Sequence, residues 1–169
     1  MIKDLRHKEN LIVAIAPSSL GFGFAVMEGD GTLVDWGVRS TAGDKNADAL
    51  KKAEAMIALY KPVVLVLEDA AAKGSRRSRR VRKLTKEIVA AAATCRMKVA
   101  LFSRDQMMRC FLEDGQGSKH TIARILAMRF PEELGHRLPP KRKPWKSEDY
   151  RLGIFDAIAL AFAKHLQKN

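Results

Sequence analysis

The fold of this chain is constrained most by an apolar run that ends in two acids, Val-Val-Leu-Val-Leu-Glu-Asp at residues 63–69. Five consecutive apolar residues, most of them β-branched, predict a strand buried on both faces of a parallel or mixed sheet. Open α/β sheets bind their ligands at the carboxyl ends of such strands. Glu68 is therefore the first candidate for chemistry. The alternative is that Glu68 and Asp69 only mark where the strand leaves the core.

A second acid, Asp156, lies inside an apolar segment near the end of the chain. Residues 152–163 are apolar on every side of a helix except at Asp156, so this helix is expected to be buried all round. A buried charge costs several kcal/mol unless a cation, a metal ion or a proton accompanies it. Glu68 and Asp156, two carboxylates at apolar locations in distant parts of the sequence, therefore predict a shared divalent-metal site.

Length and composition favour a single domain. With 169 residues, of which 47% are hydrophobic, the chain is expected to form one domain over residues 11–169, preceded by a loose, charged N-terminal arm at residues 1–10. The sequence has no apolar run of about 18 residues and no signal-peptide pattern, which predicts a soluble, cytoplasmic protein with no membrane partner. Cys95 and Cys110 lack the spacing of a zinc site and argue against a disulfide scaffold.

The net charge of +12 is confined to two segments. Residues 73–87 carry a net charge of +7 and residues 136–146 carry +5, which together make up the whole excess. Positive charge concentrated beside candidate acids favours binding to the phosphate backbone of a nucleic acid. The alternative is a solvated basic surface. The candidate backbone-binding residues are Lys73, Arg76, Arg77, Arg79, Arg80, Arg82, Lys83, Lys141, Arg142 and Lys143.

Apolar patterns and turn residues predict the order of the helices and strands. Three strands form an antiparallel meander, and helices then alternate with two further strands. A basic, Pro-rich loop is expected over residues 135–146. Ser147, with Glu148 and Asp149 in the first turn, is expected to begin the last helix. The predicted strands cover residues 11–16, 22–27, 32–38, 63–69 and 99–102, and the other predicted helices cover residues 47–60, 79–95, 103–112 and 118–130.

This order is typical of the RNase H-like fold, and the sequence resembles the RuvC-type Holliday junction resolvases over about residues 11–166. Residues 14–26, Ala-Ile-Ala-Pro-Ser-Ser-Leu-Gly-Phe-Gly-Phe-Ala-Val, resemble the family's first-strand motif, Gly-Ile-Asp-Pro-Gly-Ser followed by Gly-x-Gly. Residues 65–68 resemble its second acidic motif, residues 118–126 its helix that begins with Lys, and residues 155–161 its closing Asp-Ala-Leu-Ala helix. The resemblance implies an α/β fold: a five-stranded mixed sheet, three antiparallel strands then two parallel, flanked by helices.

Two positions depart from the family pattern. Ala16 stands where the family has the Asp that bridges two metal ions, and Gly153 stands where the closing helix usually bears a second acid. Glu148 or Asp149 are candidates for the missing ligand, although Asp149 would lie about two helical turns, roughly 10 Å, from Asp156. Ala16 is either an engineered replacement of an aspartate or a feature of a degenerate member that binds DNA without efficient cleavage.

The resemblance implies that the protein is a metal-dependent hydrolase of the crossover junction endodeoxyribonuclease type. Such an enzyme cuts branched DNA in recombination and repair. Such an enzyme would act as a homodimer with Mg²⁺ or Mn²⁺, two ions in the active form. Glu68 and Asp156 are the implied metal ligands, with Asp149 as a candidate substitute for a missing one, and Ala16 would leave the chain inactive as written. Lys119 would lie near the scissile phosphate, or would be a surface residue at the start of its helix.

Two other functions remain open from the sequence. One is a non-catalytic protein that binds junctions or other nucleic acids, and the other is an RNA-processing nuclease of the YqgF type. For the junction endonuclease, Trp145 or Phe111 is a candidate to stack on bases at the branch. Core packing is the alternative for Phe111.

Overall fold

A five-stranded mixed sheet forms from the apolar runs of the sequence. The computed structural model describes residues 10–115, 117–147 and 149–167. Strands β1 to β3 pair antiparallel, and β4 and β5 run parallel to β1, which confirms the predicted fold class. The strands lie in the order β3-β2-β1-β4-β5. Their bounds are β1 (Ile12–Pro17), β2 (Gly21–Met27), β3 (Leu33–Ser40), β4 (Val64–Glu68) and β5 (Lys98–Phe102).

The two central strands, β1 and β4, separate two apolar layers. Successive side chains of a strand point to opposite faces of the sheet. Ala14 and Val66 therefore belong to one layer, whereas Ile15 and Leu67 belong to the other. Burial on both faces explains why these strands are continuous apolar runs rather than alternating ones.

Helices cover both faces of the sheet. The Ile15 face is covered by α1 (Lys45–Tyr60) and α2 (Arg79–Thr94). The Ala14 face is covered by the apolar last helix and by shorter helices that pack around it. The helices on that second face are α3 (Arg104–Phe111), α4 (Lys119–Arg129), α5 (Pro131–Leu134) and α6 (Leu152–Leu166).

Side-chain caps fix where four of the helices begin. Asp44, Ser78, Ser103 and Ser118 each accept a hydrogen bond from the backbone N–H three residues further on. Such caps satisfy backbone donors that would otherwise have no partner in the first turn. Three of the four predicted helix starts agree with these caps, and α1 begins two residues earlier than predicted.

The segment before α6 differs from the prediction. The expected last helix was to begin at Ser147, but α6 begins at Leu152, because Asp149 bonds locally instead of joining a helix. Its carboxylate accepts from the backbone N–H of Arg151 at 2.9 Å, and its carbonyl accepts from the N–H of Leu152 at 3.0 Å. The expected loop over residues 135–146 also begins with a short 3-10 turn, Gly135–Arg137.

Two sequence predictions fall on residues that the structure does not describe. The N-terminal arm lies outside the described residues except for Asn10, and Glu148 also lies outside them. Of the helices in the described part of the chain, none combines the length and apolar character that a membrane span requires.

Candidate functional site

The carboxyl ends of β1 and β4 bring Ala16 and Glu68 side by side. The two strands are parallel, with Ile15 opposite Leu67, so the next residue of each strand is Ala16 and Glu68. Ala16 packs in the layer that contains α6. Strand periodicity directs Glu68 to the same face. The sheet edge and α6 thus meet at the carboxyl end of β4, where the sequence predicted a functional site.

A small cavity of about 20 Å³ lies at this point. Ala16 and the two candidate acids, Glu68 and Asp156, all line it. Asp156 comes from the first half of α6, whose apolar residues pack on the sheet on either side of it. The other residues around the cavity are Pro17, Arg77, Arg104, Met107, Lys119 and Leu160.

Each acid of the cavity forms an ion pair with a cation of the protein. The Arg77 Nε donates to Glu68 Oε2, and the side chains are 25% and 18% exposed. The Lys119 Nζ donates to Asp156 Oδ2 at 3.3 Å, with side chains 22% and 18% exposed. The partly buried Asp156 thus has Lys119, at the start of α4, as its cation partner.

The residues present do not fit a metal centre of the kind that the resemblance implies. Ala16 has no ligating oxygen, and both carboxylates already bind protein cations. Arg77, Arg104 and Lys119 outnumber the two acids around the cavity, and a net positive site repels a dication. Within residues 10–115, 117–147 and 149–167, no group of three or more His, Cys, Asp or Glu side chains is placed to hold a metal ion.

Asp149 does not join this cavity, so its predicted place two turns before Asp156 on one helix is wrong. It precedes α6 and forms an ion pair with Arg151, with 2.8 Å between Oδ2 and Nη2. The hydrogen bonds from the Arg151 side chain hold the pKa of Asp149 below its usual value. Asp149 therefore has a structural role in the turn that leads into α6.

Gly153 lies where α6 packs closely against β2. A Cβ built on Gly23 of β2 would lie 2.0 Å from the Gly153 carbonyl oxygen, so no side chain fits at position 23. A Cβ built on Gly153 would lie 3.7 Å from the Gly23 backbone, which is ordinary contact. Gly23 is also the cross-strand partner of Ala16. Packing against β2 therefore does not exclude a Cβ at position 153, which faces the cross-strand partner of Ala16.

A wide, basic cleft of about 850 Å³ opens next to the small cavity. Glu68, Arg77 and Lys119 line both spaces, so the ion pairs lie where the two meet. The cleft brings the two basic segments together, although they are distant in sequence. The predicted backbone-binding residues that line it are Lys73, Arg76, Arg77, Lys141 and Arg142.

Two residues of the cleft, Arg104 and His120, were not among the predicted site residues. Arg104 follows Ser103 directly after β5, and β5 pairs in parallel with β4. Because the carboxyl ends of parallel strands lie along one edge, this position beside Glu68 was a signal for Arg104. His120 carried no such signal, since its position depends on how α4 packs.

The other predicted cations do not line the cleft. These are Arg79, Arg80, Arg82, Lys83 and Lys143. Arg80 was expected to be an exposed backbone contact, but its guanidinium donates to Asn46 Oδ1 at 3.1 Å and to the Ser18 carbonyl at 3.0 Å. It therefore connects α2 to α1 and to the β1–β2 turn.

The two candidate stacking residues have different surroundings. Phe111 packs against the core, and its ring lies 5.9 Å from the ring of Phe162. This contact fits the core-packing alternative for Phe111. Trp145 is 76% exposed in the basic loop, with the Lys143 Nζ 5.6 Å from its ring centre.

The sheet order and the position of α6 define an RNase H-like fold. Among solved structures, the chain is similar to RuvC of Thermus thermophilus, with a TM-score of 0.65 and 16% identity over 94% of this chain and 95% of that one. The same protein in complex with a Holliday junction substrate gives a TM-score of 0.64 and 15% identity over 92% of each chain. The yeast mitochondrial Holliday junction resolvase Ydc2 gives a TM-score of 0.60 and 12% identity over 94% of this chain and 81% of that one.

These similarities confirm the predicted resemblance to RuvC-type resolvases at the level of the fold. No protein-family model and no curated protein matches the sequence. The fold is therefore shared with the resolvases, while the residues of the cavity differ from the pattern that the family's motifs imply.

Proposed function

We propose that this protein binds branched DNA in the basic cleft without efficient metal-dependent cleavage. The observation that carries the proposal is that residues 73–77 and 141–142, from separate basic segments, line one cleft on a resolvase fold. A cleft with an excess of positive charge attracts a polyanion, and its Lys and Arg side chains are suited to contact the phosphates of the backbone. Branched DNA is the favoured ligand because a neighbour of the same fold is seen with a Holliday junction substrate.

The state of the acidic cavity supports binding over hydrolysis. Arg77 and Lys119 neutralise Glu68 and Asp156, and Ala16 supplies no third carboxylate. The cations that line the cavity, Arg77, Arg104 and Lys119, are suited to bind and orient a phosphate.

Binding is tested by the salt dependence of affinity for a synthetic four-way junction. Seven Lys or Arg residues line the cleft, and each phosphate neutralised contributes about −0.9 to the slope of log affinity against log salt. We expect a slope between about −4 and −6. Arg76→Ala, in the cleft, should weaken binding and flatten the slope, whereas Lys86→Ala, exposed on α2 outside the cleft, is the matched control. A slope near zero contradicts the proposal.

Substrate class is tested by competition. We expect the four-way junction to compete better than a duplex of the same sequence, and better than a structured RNA. Preference for the RNA would instead support the YqgF-type alternative. Its nuclease activity would be supported only if the RNA were also cut. A homodimer that presents two clefts to a junction stays a prediction, checked by sedimentation of the protein with and without the junction.

A second candidate function is that of a Mg²⁺- or Mn²⁺-dependent junction endonuclease. The observation that favours it is that Glu68 and Asp156 line the same cavity as Ala16. If this candidate is correct, the parent protein cuts a junction when either ion is added, and Asp156→Asn abolishes the cut. Cleavage of the junction by the parent would overturn our proposal in favour of this one.

A further inference from the structure

The carboxylate of Glu68 closes the base of a basic loop. It lies at the end of β4, and its partner Arg77 lies nine residues later, just before α2. Lys73 and Arg76, in the loop between them, are exposed and line the wide cleft. Contact between Glu68 and Arg77 therefore joins the two ends of the segment that presents these cations.

Hydrogen bonds within the loop fix its path between these ends. The backbone N–H of Asp69 donates to the Phe102 carbonyl at 2.7 Å, and the N–H of Ser75 donates to the Ala72 carbonyl at 3.0 Å. The Asp69 carboxylate accepts from the Ala71 N–H at 3.1 Å. The Arg77 N–H donates to the Ser75 hydroxyl oxygen at 3.3 Å. The loop has local order, and the Glu68–Arg77 pair fixes its far end to the sheet.

We infer that Glu68 is a positioning residue, which holds Arg77 and with it the loop of residues 69–78 in the geometry that binds phosphates. The inference rests on the proposed function. It assigns to Glu68 a role in nucleic-acid binding, at a position where the resemblance implies a metal ligand. The guanidinium on its Oε2 and the missing acid at Ala16 both favour this role.

A carboxylate that anchors the loop and one that only lies beside the bound DNA predict opposite changes in DNA affinity when Glu68 is removed. Removal of a carboxylate that only lies near the bound phosphates relieves repulsion, so affinity rises. Removal of a carboxylate that anchors a phosphate-binding loop lowers affinity, because the loop then has to be ordered on binding. The sign of the change on Glu68→Ala therefore distinguishes them.

Asp105 provides a matched control in the same cleft. It also lines the cleft and pairs with an arginine, Arg109, at 3.0 Å. That pair lies within one exposed helix turn, with side chains 60% and 68% exposed, and it closes no loop. Asp105→Ala should raise junction affinity, by up to about threefold, as loss of a nearby negative charge predicts.

The experiment measures affinity for a synthetic four-way DNA junction across a salt series, without added divalent ions. Glu68→Ala should lower the affinity for the junction by roughly tenfold. The slope of log affinity against log salt should flatten by the amount that about one to two phosphate contacts contribute. Arg77→Ala should do the same. In the Arg77→Ala background, Glu68→Ala should cause no further loss, because Glu68 acts through Arg77. Circular dichroism of each variant checks that the sheet is intact.

The outcomes separate this inference from the proposed function. If the parent protein does not bind the junction in a salt-dependent way, the proposed function fails. If the parent binds and Glu68→Ala binds equally well or more tightly, the positioning role is refuted while the proposed function stands. An equal loss of affinity with and without Arg77 also refutes it, since Glu68 would then act by another route.

Discussion

The contact between Gly23 and Gly153 predicts opposite effects for the same substitution at its two positions. Neither glycine has a positive φ, so alanine meets no backbone strain at either place and only packing decides. At position 23 the new Cβ would lie 2.0 Å from the Gly153 carbonyl oxygen and 2.2 Å from its carbon. These are backbone atoms, so the first turn of α6 would have to move away from the sheet.

The magnitudes follow from the two geometries. Gly23→Ala should cost about 3 kcal/mol of unfolding free energy or more, at the upper end for overpacked cores. Gly153→Ala meets contacts of 3.7 Å, and it should stabilise by up to about 1 kcal/mol because alanine loses less entropy in a helix. For a chain of this length, about 1 kcal/mol corresponds to roughly 2–4 °C in melting temperature. We therefore expect Gly23→Ala to melt at least about 6 °C below the parent.

Thermal and urea unfolding of both variants and of the parent provide the measurement. Equal losses at the two positions would refute the packing argument, since they would show that the contact excludes a methyl group from either side. A loss at position 23 alone confirms that α6 approaches β2 closely, and that Gly153 is not required for this approach.

Two further substitutions test contacts away from the cavity. Arg80→Ala should lower the unfolding free energy by about 1–2 kcal/mol, because the guanidinium donates to Asn46 and to a backbone carbonyl of the β1–β2 turn. The exposed neighbour variant Arg79→Ala should change it by less than about 0.5 kcal/mol in the same urea titration. Burial and the hydrogen bond to Asp35 raise the pKa of Tyr60 to about 12, above its ordinary 10.0. The stabilisation by Tyr60 should therefore be complete below pH 10.0 and be lost as pH rises to about 12, and Tyr60→Phe should remove this loss from the pH dependence of unfolding.

Local patterns in the sequence were sufficient to predict the sheet and to predict that the candidate site residues meet at its edge. The apolar run before Glu68 and the run before Ala16 each specify a buried strand, and parallel pairing then brings their carboxyl ends together. The apolar surroundings of Asp156 predict a buried helix in the same way, and α6 is buried around Asp156, whose own side chain is partly exposed. These predictions succeed because each depends on the period of a single segment or on a general rule for sheet edges.

Predictions failed where a side chain had several partners within reach. Asp149 suits the first turn of a helix, but bonding to Arg151 two residues later gives it a local turn instead. Arg80 is one of many cations in its segment, and its partner Asn46 is 34 residues away. That Arg77 and not a neighbouring arginine contacts Glu68 depends on the path of the loop. No periodicity in the sequence encodes such choices.

The charges around the cavity predict how many acids a metal site would need. Arg77, Arg104 and Lys119 face two carboxylates, so the first acid added, by Ala16→Asp, brings the side-chain charge only to neutrality. A fourth carboxylate makes it negative, and a Cβ at position 153 meets only ordinary contacts. Because a dication needs an excess of negative ligands, Ala16→Asp alone should bind Mn²⁺ weakly. The double variant Ala16→Asp, Gly153→Asp should bind it at least tenfold more tightly by calorimetric titration, and equal affinities would refute this account of the site.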